Sequence, residues 1–229
     1  MVFLRACSDR LRRAAFALAL AAPANAPRAR HQSTLFLLRS PAPSAPREVP
    51  TPLVVLSSGR WEKDSAKGMK DVASMFAERG YTTLEIDLAP PQVKPTTSQS
   101  LMKYYEDELV SHIRLAAIPF APLLIARSAA GALIAQTYIS SHPASGLILL
   151  SPPTSNASSS TKSLLPAHLK EFDYEPRFPL LIVDTPAAEQ AQQADNRLVQ
   201  EGADLKIVGD LDGQECFTAM EKWMDEIGV

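Results

Sequence analysis

Between residues 52 and 228, short apolar runs alternate with stretches in which apolar residues recur every three or four positions. "PLVVLSS" (52–58), "YTTLEIDL" (81–88), "PLLIA" (122–126), "SGLILLSPP" (145–153), "PLLIVDTP" (179–186) and "DLKIVGDLDG" (204–213) predict buried strands, the fourth and the sixth running into turns. Met69, Val72, Ala73, Phe76 and Ala77 lie at helical spacing, and Gly80 is a natural stop one residue past that helix. Further helices are predicted over 97–118, with Pro119 beyond its end, over 129–142, over 187–202, ending at Gly202, and over 214–228. The segment 154–178 breaks the alternation, being polar and irregular with one short apolar stretch.

Strand and helix in alternation, with strands of the buried type, predict an α/β fold: a mostly parallel sheet with helices on both faces. Right-handed crossovers leave little topological freedom. Ligands of such sheets sit at the carboxyl ends of the strands. The loops near 58–65, 88–97, 127–129, 151–178, 184–188 and 210–214 therefore form one rim, with 154–178 as a short cap insertion over it. A chain of 229 residues suits one such domain, here expected over 52–228. No internal repeat is visible.

Charge divides the chain. Residues 1–40 hold seven Arg, no Lys and a single acid, Asp9, whereas the remainder carries 16 basic and 24 acidic residues, a net of −8. The acidic body is a poor match for nucleic acid or anionic lipid. The Arg-rich, Ser- and Ala-containing 1–40 segment has the composition of a mitochondrial transit peptide, and "RARHQSTL" resembles the end of a fungal presequence. Secretion is the competing reading, with "AAFALALAA" as the apolar region and "ANA" (24–26) as the cleavage site; Asn156-Ala157-Ser158 would then be a glycosylation sequon. "SPAPSAPREVPTP" and its surroundings, 41–51, predict a Pro-rich linker. No apolar run reaches the ~18–20 residues of a membrane span. Without the leader only Cys216 remains, so no internal disulfide forms.

"Ala126-Arg127-Ser128-Ala129-Ala130-Gly131" joins a predicted strand to a predicted helix. It resembles the nucleophile elbow of α/β-hydrolases, G-x-S-x-G, with Ala at both outer Gly positions. The competing reading makes Ser128 a plain helix cap. The resemblance extends over about 50–228: "VVLSSGRW" matches the strand before an oxyanion loop, "FAERGYTTLEIDLAPP" the next helix and strand, "GLILLSPP" and "PLLIVDTP" the strands flanking the cap, and "LKIVGDLDGQECF" the place of the histidine loop.

The resemblance implies Ser, acid and His in that chain order. The expected His position holds Gln214, which accepts no proton near neutral pH but can hydrogen-bond Ser128 and keep the shape. His142 lies ~21 Å along the helix from Ser128, at 1.5 Å per residue, and His112 lies toward the same far edge. His31 belongs to the leader. His168, in the cap, is the one imidazole on the correct side, with a surface position as its plainer reading. Asp184 and Glu189 are the candidate acids, each with a structural alternative; Asp210 and Asp212 flank the vacant His position. Oxyanion donors are expected from the N–H of Ala129 and from one of Ser58, Gly59 or Arg60. Arg60 and Arg127 are expected near the rim, either binding a carboxylate or phosphate or pairing with Glu62 or Asp64.

Cofactor chemistry is not implied. No His/Cys cluster has zinc spacing and no phosphate-binding glycine motif occurs. The expectation is an α/β-hydrolase-like protein without the usual His, non-catalytic or weakly active, that takes a small acyl ligand or a mitochondrial protein partner. The alternative is an atypical serine ester or thioester hydrolase using Ser128.

Overall fold

The computed structural model describes residues 34–229. Seven strands form one sheet in the order β1-β3-β2-β4-β5-β6-β7. They are β1 (Leu35–Arg39), β2 (Val49–Ser57), β3 (Tyr81–Asp87), β4 (Leu123–Arg127), β5 (Gly146–Leu150), β6 (Leu180–Asp184) and β7 (Asp204–Ile207). β2 to β7 run parallel, and β1 pairs antiparallel with β3 at the edge. The helices are α1 (Met69–Glu78), α2 (Ser98–Leu115), α3 (Ser128–Ile139), α4 (Ser159–Leu164), α5 (Glu189–Asp195), α6 (Arg197–Gln200) and α7 (Gln214–Glu226).

Strand period sorts the core into two layers. Leu53, Val55, Leu123, Ile125, Leu181 and Val183 pack against Phe76 of α1 and Phe217, Met220 and Trp223 of α7. Their neighbours Val54, Leu56, Leu124, Ala126 and Ile182 face the other way, onto α2 and α3. Successive strand residues point to opposite faces, so a run apolar at every position is buried on both. α3 is the innermost helix. Nine of its residues are buried, which explains why it lacks the polar stripe of α1.

Three boundaries differ from the sequence expectation. The five residues "LFLLR" at the end of the predicted leader form β1, registered from Leu35 opposite Asp87 to Arg39 opposite Thr83. The predicted linker is also partly structured: Ala42 N–H donates to the Ala77 carbonyl at 2.9 Å, and buried Val49 opens β2. A five-residue apolar run carries no mark that separates a presequence end from a strand, because its partners, from Thr83 to Asp87, lie far along the chain. The 187–202 helix is broken at Asn196, whose side chain leaves the helical ladder and accepts the Leu198 N–H. The rest of the predicted targeting segment, through residue 33, lies outside the described residues.

Gly80 ends α1 as its position suggested. Its φ is +101°, and a Cβ there would sit 1.8 Å from the Arg47 carbonyl oxygen, so no other residue fits.

Candidate active site

β4 ends in Arg127 and α3 begins at Ser128 without an intervening loop. The chain turns through Ser128 at φ +63°. A non-glycine residue in that region costs on the order of 1–3 kcal/mol and is held only by its surroundings. Small neighbours make the turn fit: a Cβ on Gly131 would lie 3.4 Å from that of Ala126. Ser128 is half-buried and is not a cap, since the start of α3 has no side-chain cap from Arg127 and the Ser128 hydroxyl turns to Glu62.

The Ser128 hydroxyl donates to Glu62 Oε1 at 2.8 Å. The other carboxylate oxygen of Glu62 accepts the Ala130 N–H at 2.6 Å. Glu62 thus supplies from outside the helix the cap that Ser128 does not provide. A carboxylate at that end is favoured by the unpaired N–H groups and by the helix dipole. Glu62 leads into a 3-10 turn, Lys63–Ala66, set between β2 and α1. Two hydrogen bonds close the loop behind it, from the N–H of Trp61 and of Glu62 to the Ser58 carbonyl, each 2.9 Å.

Among the described residues, neither Gln214 nor any of the three histidines bonds the elbow serine. Gln214 is the exposed first residue of α7 and its amide donates to Thr218 at 3.3 Å; it does not hold Ser128. His168 is exposed on the cap. His112 binds the Glu108 carbonyl, and His142 stacks on Tyr138 beside Glu106. Among the described residues, no imidazole makes a hydrogen bond with Ser128.

Both candidate acids have other occupations. Asp184 is 1% exposed. It accepts Thr185 N–H at 2.8 Å and the Gln192 amide at 2.7 Å, and Gln192 in turn accepts from Asn196 and donates to the Pro152 carbonyl. That buried chain ties β6 to α5 and to the cap entrance. Glu189 starts α5 and takes the Gln193 amide at the surface.

The oxyanion candidates divide. Ser58 N–H is bound to Ser65 Oγ at 3.0 Å and Gly59 N–H to Asp87 at 2.7 Å, so neither is free for a ligand. The N–H groups of Ala129 and Arg60 have no protein acceptor among the described residues. The Arg60 side chain is exposed and makes no ion pair there. Arg127 is not on the rim. It is 7% exposed and donates to the Lys67 carbonyl at 2.8 Å and to Asp212. Lys67 meets the other oxygen of Asp212 at 2.5 Å. These cations, Lys67 foremost, hold the Asp212 carboxyl below its ordinary range against the opposing effect of partial burial. The loop in which the resemblance expects a histidine is therefore pinned to the elbow by ion pairs.

A cleft of about 540 Å³, within the range of small-molecule sites, opens at Trp61, the chain neighbour of Glu62; Ser128 is not among the residues that line it. Trp61 and Tyr105 line it, stacked with centroids 4.7 Å apart and planes at 19°. Leu101, the cap residues Leu164 and Leu165, the 90–95 loop prolines and Lys94 complete it. Trp61 Nε1 donates to the Leu164 carbonyl at 3.3 Å, and Ser98 bonds both N–H and carbonyl of Ala167, so the cap is tied down on two sides.

Two other features are settled by burial. Asn156 is 4% exposed, its amide donating to the Lys170 carbonyl at 2.9 Å; a glycan on this sequon would have no room in the folded domain. Cys216 is buried in the α7 core, and that burial pushes its thiol up to about 11, so it is no nucleophile. Among the described residues, no group of His, Cys, Asp and Glu is arranged to hold a metal, and no helix is long and apolar enough to cross a membrane.

A parallel sheet of this order, a serine on a strained strand-to-helix turn and a cap over the strand ends define an α/β-hydrolase fold. Solved structures agree: apo esterase 2 from Thermogutta terrifontis aligns over 85% of this chain and 90% of its own with a TM-score of 0.59 and 15% identity. MenH from S. aureus aligns over 83% and 98%, at 0.54 and 12%. A putative carboxylesterase from Lactobacillus plantarum aligns over 86% and 99%, at 0.51 and 11%. At such identities the likeness is one of fold. No family model and no curated protein matches the sequence.

Proposed function

We propose that this α/β-hydrolase-fold protein binds a small acyl ligand in the cleft walled by Trp61 and Tyr105 and does not run the Ser-His-acid reaction, so that any chemistry at Ser128 is slow. One observation carries the proposal: the Ser128 hydroxyl is bonded to a carboxylate, Glu62, and not to an imidazole. An imidazole takes and returns a proton near neutral pH; a carboxylate, as a class the weaker base, does so poorly. The cleft supports the ligand class. It offers an apolar aromatic wall for a chain or ring and the cation of Lys94 for a carboxylate or phosphate head.

The test is equilibrium binding of decanoate and of a decanoyl thioether to the purified domain, followed by Trp fluorescence. Saturable quenching that weakens in Lys94→Ala supports the proposal. The absence of quenching with either probe argues against it and turns attention to a protein partner on the same rim.

A second reading, an atypical serine ester or thioester hydrolase, is favoured by the positive φ of Ser128 and by the free N–H groups of Ala129 and Arg60. We further propose that the 1–40 segment directs import into mitochondria. Processing near Gln32–Thr34, read by mass spectrometry of the mature N-terminus, is the expected result, and a start at Pro27 would point to secretion. The predicted cut leaves β1 in the mature protein.

A further inference from the structure

We infer that Glu62 is the proton acceptor for Ser128, and that the pair accepts acyl groups only from donors with a good leaving group, thioesters and activated aryl esters.

Three observations converge. The hydroxyl–carboxylate distance of 2.8 Å is that of a nucleophile and its base. A third group, the Ala130 N–H, fixes the orientation of that base at 2.6 Å, the task an acid performs for an imidazole in the usual arrangement. The strained Ser128 backbone is a part of a serine site that a plain helix start does not need, and the Ala129 N–H, unpaired as in any first helical turn, is free to meet an acyl oxygen. Glu62 is also the chain neighbour of Trp61, which lines the cleft, so base and acyl wall belong to one short segment. The inference rests on the acyl-binding reading only in needing an acyl group beside Ser128.

Leaving-group chemistry sets the substrate class. In acylation the Ser128 proton passes to Glu62 while Oγ bonds to the acyl carbon and the C–S bond breaks. The departing thiolate takes the proton from the Glu62 carboxylic acid, which is left ionised. A carboxylate is a weak base, so the tetrahedral adduct forms rarely. It moves forward only if the leaving group departs more readily than Ser128 itself. A thiolate, whose conjugate acid has a pKa near ~8.5, meets that condition and an alkoxide does not.

The experiment measures acylation of Ser128 by intact-mass spectrometry, with decanoyl-N-acetylcysteamine, p-nitrophenyl decanoate and ethyl decanoate as probes. Wild type is compared with Ser128→Ala, Glu62→Gln and Glu62→Asp. The expected result is one acyl group per chain from the first two probes and none from ethyl decanoate. Acylation should be absent in Ser128→Ala and at least about 100-fold slower in Glu62→Gln, partly restored in Glu62→Asp, with the acid limb of the pH profile present in wild type and missing in Glu62→Gln. Equal rates in wild type and in Glu62→Gln of matched melting temperature overturn the inference and leave Glu62 a helix cap, as does a wild type that is never acylated. Decanoate binding to Ser128→Ala is read alongside. It tests the acyl-binding proposal by itself, so the two failures are distinct.

Discussion

Glu62 accepts the hydroxyl of Ser128 across 2.8 Å although the two lie 66 residues apart in the chain. The contact joins the loop after β2 to the start of α3, and its second arm on Ala130 makes the carboxylate a cap as well. Truncation in Glu62→Ala removes both bonds. The expected loss is about 1–2 kcal/mol, seen as a lower urea midpoint with an unchanged m-value. Glu62→Gln, which still accepts through its carbonyl, loses less.

Arg127, Lys67 and Asp212 give the fold an acid-sensitive tie. The Asp212 carboxyl is depressed when folded, so its contribution is complete above the unfolded value near ~4 and is lost as pH falls through the lower folded value. The melting temperature of wild type should therefore drop more steeply below about pH 4 than that of Asp212→Asn. Arg127→Met, which removes a nearly buried cation, should weaken the pH dependence in the same way.

Asp184 answers a different question. Its carboxylate is fully bonded inside the Gln192–Asn196 chain. Asp184→Ala leaves the Gln192 amide with one partner fewer and should cost about 2–4 kcal/mol by chemical denaturation. Acyl probe binding by the folded fraction should be unchanged, because Asp184 does not touch the elbow serine.

Cys216 should be silent to thiol reagents. At 1% exposure and with its thiol raised to about 11, it is expected to resist iodoacetamide at pH 8 in the native protein. It should react fully in guanidinium, and the ratio of the two rates reads out the opening of α7.

Gly80→Ala should be severe. The added Cβ meets the Arg47 carbonyl at 1.8 Å on a residue with φ +101°, and more than about 2 kcal/mol is expected. Gly202→Ala serves as the control: its φ is the same +101° but nothing lies within 4 Å, so only the backbone cost of about 1 kcal/mol remains.

The alternation of apolar runs with helical spacing was enough, by itself, to set out six parallel strands and the helices between them, and the small residues around Ser128 were enough to mark the elbow. Those features are local: a strand buried on both faces must be apolar at each position, and a tight turn must be flanked by small side chains. The absence of a histidine from the last loop was equally legible, since it is a matter of residue identity. Tertiary structure alone decided what the Ser128 hydroxyl meets. Glu62 reads as an ordinary surface acid near Arg60, and Arg127 as a rim cation, until the sheet brings the 58–66 loop over α3 and the 208–213 loop against Lys67. The edge strand Leu35–Arg39 was hidden for the same reason, since pairing with β3 is a long-range event that five apolar residues do not announce. Which groups share a hydrogen bond depends on where distant segments meet, and side-chain periodicity encodes the face a residue presents but not the partner that it finds there.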